Sequence, residues 1–201
     1  MKLYYSPGAC SFATHIVLHE MGIPHETERV NLRSKKTASD QDFTAINPKG
    51  YVPALVLDDG SILTEGTAIL QYLADQMPAS RLAPAIGTLA RYRLAEWLGY
   101  INSEIHKSHS PLFNPAATDE MKVLAKAVLS RRYGYAADIL SGQPYLLGEE
   151  FSVADAYLYT TLTWAERVGV DLSAFPSLLA YRDRIATRPS VVAAGQIEFS
   201  K

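Results

Sequence analysis

Sulfur is scarce in this chain: its 201 residues include one cysteine, Cys10, and four methionines. One cysteine cannot close a disulfide within the chain, so the fold must rest on its core, as expected in a reducing compartment. Long apolar runs are also missing. None approaches the ~20 residues that a membrane-spanning helix needs. Met1-Lys2 leads straight into Leu3-Tyr4-Tyr5, without the apolar stretch of a secretory leader. A cytoplasmic location with no membrane partner is the expectation. Nor is there an excess of positive charge: 19 Lys and Arg face 21 Asp and Glu, a formal net charge of -2. That balance argues against a polyanion-binding surface, so no nucleic acid is expected as a partner. Internal repeats and low-complexity tracts are absent too. What is present is ordinary for a folded globular chain, 48% hydrophobic and 20% charged residues, enough for one domain or two modest ones.

Leu3 to Ser6 reads as a short buried strand that Pro7-Gly8 turns. Phe12, Ile16, Val17 and Met21 then recur at helical spacing from Ser11 to Met21, before the stop signals Gly22 and Pro24. A second strand over Thr27 to Leu32, reached through that helix, makes a parallel βαβ unit. Lys35-Lys36 falls in the loop beyond it. Ser39-Asp40-Gln41-Asp42 resembles a capping box for a short helix that Asn47-Pro48-Lys49-Gly50 closes. Pro53 stands at the start of a strand running to Leu57, where a missing N–H leaves backbone groups near Val52 for another partner. Asp58-Asp59-Gly60 marks a hairpin turn to a last strand at Ile62-Leu63, on the tolerance of Asp-Gly for the positive φ angles of two-residue loops. Thr64 or Glu65 caps a helix whose apolar face is Ala68, Ile69, Tyr72 and Leu73. Free N–H groups at its start could hold a carboxylate. The order β-α-β-α-β-β-α is that of an α/β layer.

Residues 79–88, with Pro84 and Gly87, read as a linker after a domain spanning 1–78. No convincing strand follows, and 89–201 read as an all-helical domain. A long helix carries Leu94, Trp97, Leu98, Ile101 and Ile105 on one side and is expected to end at Pro111. Its polar stripe is Gly99, Ser103, His106 and Ser110. Thr118 to about Leu140 forms an amphipathic helix on Met121, Leu124, Val128 and Leu129, interrupted at Gly134. Ser152 and Asp155 make a capping box for a helix with Tyr157, Leu158, Leu162, Trp164 and Ala165 in the core. Pro176 and Pro189 each sit where a proline opens a helix.

The chemistry begins at Tyr5-Ser6-Pro7-Gly8-Ala9-Cys10-Ser11. A thiol at a helix start meets unpaired N–H groups and the positive end of the dipole, which together favour a thiolate; a small buried hydrophobe is the alternative. That opening, with His106-Lys107 on the long helix, Asn47-Pro48-Lys49-Gly50-Tyr51-Val52-Pro53, Leu63-Thr64-Glu65-Gly66 and Ser152-Val153-Ala154-Asp155-Ala156-Tyr157, resembles the cytosolic glutathione transferases, the bacterial beta class above all. The resemblance runs nearly end to end. It implies a thioredoxin-like N-terminal domain, a C-terminal helical bundle, a cis Val52-Pro53 bond and a homodimer. It also implies that Val52 pairs its backbone with the cysteinyl part of glutathione, that Glu65-Gly66 hold the γ-glutamyl group and that Lys35 faces the glycine carboxylate. Gly99, Ser103, Glu104, Ile105 and His106 lie in or near the peptide site by the same carry-over. Two positions depart from the family: Gly99 stands where asparagine is frequent, and Gly66 replaces a serine.

The reaction this implies is attack by glutathione's own thiolate on a small hydrophobic electrophile, with Cys10, His106 and Lys107 around the sulfur and glutathione as co-substrate in place of a cofactor. Lys107 supplies positive charge and His106 a donor or weak base. Cys10 is followed by Ser11, Phe12 and Ala13, so no second cysteine resolves a disulfide, and a mixed disulfide with glutathione stays open. Glutathione-dependent dehalogenation or thiol-disulfide exchange, and a non-catalytic carrier of apolar ligands, are the other readings. Tyr92, Tyr100, Phe113 and Trp164 border the electrophile pocket or belong to the core. His15 and His19 stand at i and i+4, a metal-ligand spacing, but without an acidic or cysteine partner near them in sequence no metal is expected.

Overall fold

The computed structural model describes residues 1–200. They form two compact units, one made of the chain up to Ser80 together with the segment from Arg188 onward, the other spanning Arg81–Thr187. The first holds a five-stranded mixed sheet built from β1 (Lys2–Tyr5), β2 (Glu26–Asn31), β3 (Lys36–Thr37), β4 (Ala54–Val56) and β5 (Ile62–Thr64) in the order β3-β2-β1-β4-β5. β1 and β2 are parallel, with Leu3 opposite Thr27, because α1 (Ser11–Glu20) returns the chain to the same edge. β4 runs antiparallel to β1, with Leu3 opposite Leu55. The expected thioredoxin-like α/β layer is therefore present.

Three local expectations change. The short edge strand β3 was expected to be loop; Thr37 is buried opposite Val30, which draws this segment onto the sheet. α2 (Phe43–Ile46) is capped by Asp42, whose Oδ1 accepts the Thr44 N–H at 2.9 Å, while Ser39 turns instead to Glu28. In the hairpin Gly60 alone takes a positive φ, 82°, and Asp59 uses its carboxylate to accept the Ser61 N–H at 2.9 Å. The loop is longer than two residues, so one left-handed position suffices.

α3 (Gly66–Gln76) and α9 (Pro189–Phe199) pack against α1. Every residue of α1 from Ser11 to Leu18 is buried, polar ones included. α9 is fastened by Arg188 and Ser190, both bonded to Glu20, by the edge-on contact of Phe199 with Phe12, and by Glu198. The Glu198 carboxylate, almost wholly buried, accepts the Gly8 N–H at 2.8 Å and the His15 Nδ1 at 3.0 Å.

The second unit is helical: α4 (Leu89–Tyr100), α5 (Ser110–Phe113), α6 (Asp119–Leu140), α7 (Val153–Arg167) and α8 (Pro176–Ala186). Pro111 does not end the long helix. Between α4 and α5 the backbone widens into a π-turn over Ile101–His106 and tightens into a 3-10 turn over Lys107–His109, so Pro111 falls in the first turn of α5. There its missing N–H has no helical acceptor to lose. Gly134 does not interrupt α6 either. A Cβ there would lie 3.4 Å from the Phe175 ring, and the glycine lets that ring approach the helix. The buried face of α6 is Ala125, Leu129, Tyr133, Ala136, Ala137 and Leu140, whereas Met121 and Leu124 are exposed in its first two turns. The capping box forms as expected: the Ser152 N–H and Oγ both reach Asp155 Oδ2, at 2.8 and 2.7 Å.

Candidate active site

In the first unit α1 begins at Cys10, which occupies the cap position without a side-chain cap bond. Its Sγ–H instead donates to the Val52 carbonyl oxygen at 3.0 Å. That bond needs the thiol's proton, so in this arrangement Cys10 is a thiol. The helix-start N–H groups expected to favour a thiolate are partly engaged: Phe12 donates to the Ala9 carbonyl at 3.0 Å and Ala13 to the Cys10 carbonyl at 3.3 Å. Val52-Pro53 is cis. The Tyr51 carbonyl accepts from Asn47 Nδ2 at 2.7 Å, so the Asn-Pro-Lys-Gly turn and the cis bond are pinned together.

Glu65 holds the cap position of α3 with a φ of 73° and makes no side-chain cap bond. The reason lies in Lys49, whose Nζ reaches Glu65 Oε1 at 2.6 Å and Thr64 Oγ1 at 3.0 Å. Gly66 opens the helix proper, and a Cβ there would lie 3.9 Å from Pro53 Cγ, so a serine side chain has room. Lys35, itself at a φ of 58°, donates to the Gly50 carbonyl at 2.8 Å and lies 5.4 Å from the centre of the Tyr51 ring. One surface region thus gathers a thiol, an uncapped helix start, an acidic side chain and two lysines. Lys49 was missed as a participant, though it stands inside the quoted motif.

In the second unit His106 is the centre of a polar cluster. Its Nδ1 is 2.6 Å from the Tyr157 hydroxyl, and that hydroxyl donates to Asn102 Oδ1 at 3.0 Å. Because the single hydroxyl proton goes to Asn102, Nδ1 carries the donor proton and Nε2 keeps the lone pair. The Trp164 ring centre lies 4.8 Å from that of His106. Burial first, then His109 and Lys107, lower the His106 pKa to about 4, so the ring is neutral at pH 7. Asn102 and Tyr157 were not singled out for this role; their signal was the helical spacing of Asn102 and His106.

The π-turn breaks the regular 3.6-residue stripe. Ser103 Oγ donates to the Gly99 carbonyl at 2.9 Å, Glu104 pairs with Arg132 at 2.6 Å, and Ile105 is fully buried in the core. Gly99 has open space where a side chain would stand. Lys107 is exposed. Among the aromatics, Trp164 is buried, Tyr92 and Phe113 are exposed, and Tyr100 donates to the Arg132 carbonyl at 3.0 Å.

Two family models match the chain: the glutathione S-transferase N-terminal domain over residues 8–76 and the glutathione S-transferase C-terminal domain over residues 100–189. Glutathione S-transferase GstA of Escherichia coli O157:H7 is 44% identical over 191 residues, covering 95% of both chains. This chain belongs to the glutathione S-transferase family. Two solved members of the family are also close. The ternary complex of BphK, a bacterial transferase, shares 54% identity at a TM-score of 0.97 and covers 98% of this chain and 99% of that one. A sphingomonad glutathione S-transferase in complex with glutathione shares 49% at 0.96 and covers 98% of each. The resemblance drawn from the motifs is thus borne out, as is the enzymatic class: this is a glutathione transferase. Among the described residues no helix is long and apolar enough to cross a membrane.

Proposed function

We propose that this transferase is of the bacterial beta class, binds glutathione along Lys35, Val52, Pro53, Glu65 and Gly66, and directs its thiolate at small hydrophobic electrophiles. The observation that carries the reading is the hydrogen bond from Cys10 Sγ to the Val52 carbonyl. A cysteinyl N–H of glutathione that takes this acceptor brings its own sulfur beside Cys10, and the Cys10 thiol then donates to that sulfur. A donor facing the sulfur favours the thiolate, the nucleophile of the reaction. The new C–S bond forms as the halide or other leaving group departs with its electron pair, or as the π pair of an activated double bond moves onto its electron-withdrawing group and then takes up a proton.

The charges fit the peptide. Glutathione carries two carboxylates and an ammonium; Lys35 and the start of α3 suit the first, and the Glu65 carboxylate suits the second. His106 and Lys107 complete the catalytic set in this reading: the exposed ammonium adds positive potential, and the neutral imidazole offers Nε2 as an acceptor or base. Gly99, Ser103 and Glu104 border the peptide, and Ile105 acts only through its backbone because its side chain is in the core. A homodimer belongs to the same reading. Detoxification or aromatic-compound degradation is its setting, and light scattering of the purified protein checks the assembly.

The deciding experiment is the rate of glutathione conjugation to a reactive aryl halide. A glutathione-dependent rate well above background is expected. No acceleration while glutathione still binds would overturn the electrophile reading and favour thiol-disulfide or dehalogenation chemistry at Cys10, or a carrier.

A further inference from the structure

Apart from Cys10 and the His106 cluster, the first unit contains a second concentration of reactive side chains. His15 and His19 lie one turn apart on α1, and the loop after Gly22 brings His25 against them. The three ring centres are 5.0, 5.0 and 5.5 Å apart, and one ligand nitrogen of each residue lies within 4.8 Å of the others. His25 completes a group that i, i+4 spacing alone left at two.

The hydrogen bonds dictate which nitrogens remain available. His25 Nδ1 is 2.7 Å from the Ile23 carbonyl, which can only accept, so Nδ1 carries the proton and Nε2 keeps the lone pair. His15 Nδ1 faces the buried Glu198 carboxylate at 3.0 Å, which fixes the same tautomer. His15 Nε2 and His19 Nε2 are buried without a hydrogen-bond partner. Buried ring nitrogens left unpaired are costly, and two side by side in one cluster call for a reason.

We propose that His15, His19 and His25 form a binding site for one divalent transition-metal ion of the zinc type, with Glu198 as the outer partner that orients His15. Three imidazole nitrogens suit zinc, cobalt, nickel or copper and not the oxygen-seeking calcium or magnesium. A carboxylate on the far nitrogen of a ligating histidine is the usual second partner of such sites. Bonds of roughly 2.0–2.1 Å place tetrahedral ligand atoms about 3.4 Å apart, so the side chains of the half-buried His19 and His25 swing inward on binding. A fourth position is left for water. The ion ties α1 to the loop before β2, and through Glu198 to α9 and to the Gly8 N–H in the turn before Cys10.

The test uses untagged protein, because a histidine tag binds the same metals, stripped with a chelator and titrated with zinc chloride alone. One zinc per chain and a rise in melting temperature are expected, and cobalt(II) should show the visible absorption of a four-coordinate site. His25→Gln and His19→Gln should each weaken zinc binding at least tenfold. Glu198→Gln should weaken it about 10–100-fold. Because His15→Gln risks the fold, the half-buried His25 is the primary variant, with folding checked by circular dichroism. Cys10→Ala should leave zinc affinity unchanged. No zinc bound at about 100 μM, unaltered affinity in both histidine variants, or loss of binding in Cys10→Ala would each overturn the site.

Discussion

The helices of the two units begin differently. In the second unit α4, α6 and α7 are closed by side chains: Thr88 accepts the Arg91 N–H at 3.2 Å, Thr118 accepts the Met121 N–H at 3.3 Å, and Ser152 and Asp155 form a box. In the first unit the long helices α1 and α3 begin at Cys10 and Glu65, neither of which makes a side-chain cap bond. Only the four-residue α2 has a side-chain cap there, from Asp42. A cap stabilises a helix by about 1 kcal/mol, so leaving two long helices without one is a real cost. α8 and α9 also lack a side-chain cap, each opening instead on a proline; the open starts without a proline, at α1 and α3, are those where the proposed glutathione sulfur and γ-glutamyl carboxylate belong. The lesson is a division of labour: side chains close three helices of the helical unit, and the two open starts that lack a proline are kept for the ligand.

That contrast should show most strongly when the best closed end is opened. Asp155 is fully buried and accepts from the Ser152 N–H, Ser152 Oγ, the Leu146 N–H at 2.9 Å and the Tyr181 hydroxyl at 2.9 Å. Asp155→Ala strands these donors and should cost more than about 3 kcal/mol in chemical denaturation. A loss below 1 kcal/mol would mean that the box is not what holds this unit. At the open end the expectation inverts. Cys10→Ala should leave stability nearly unchanged, abolish the mixed disulfide with glutathione seen by mass spectrometry, and lower the conjugation rate by no more than about tenfold. Adduct at that site in the variant would defeat the assignment.

Acid should also act on the helical unit. His106 and His109, both mostly buried, have pKa values lowered to about 4, chiefly by burial; Lys107 adds to the effect at His106, while Tyr157 and Tyr133 face the rings as neutral groups. The unfolded chain binds protons near pH 6.5 that the folded one refuses, so stability is full above that value and falls steadily toward pH 4. Each ring should contribute on the order of 1–2 kcal/mol to the loss after allowance for residual solvent contact. Denaturation midpoints at pH 7.5 and 5 check this, and a flat profile would show that the rings bind protons in the fold as readily as in the unfolded chain. The smallest effect is expected at α3. Gly66→Ser has room, 3.9 Å from Pro53 Cγ, and its hydroxyl should tighten glutathione binding a few-fold by calorimetry without moving the melting temperature by more than about 2 °C.

Much of this was written locally. The Ser152–Asp155 box, the Pro176 and Pro189 helix starts and the alternation of strands and helices up to α3 depend on residues within a few positions of one another. So does the pairing of a lone cysteine with a helix start. Where a partner lies far along the chain, the local pattern misleads: Pro111 reads as a stop until the π-turn shifts the hydrogen-bond register, and Gly134 reads as a break until Phe175 is seen against it.

The sequence by itself determined the order of elements, the family and the motif carrying the thiol, because hydrophobic period, caps and turns are short-range. Only the tertiary structure decided that Cys10 donates to Val52, that Lys49 meets Glu65, that Tyr157 sets the tautomer of His106, and that His25 and Glu198 gather around His15. Each of these joins groups from separate parts of the chain, and a contact a few ångströms long forms between them only after the core has fixed where each backbone runs.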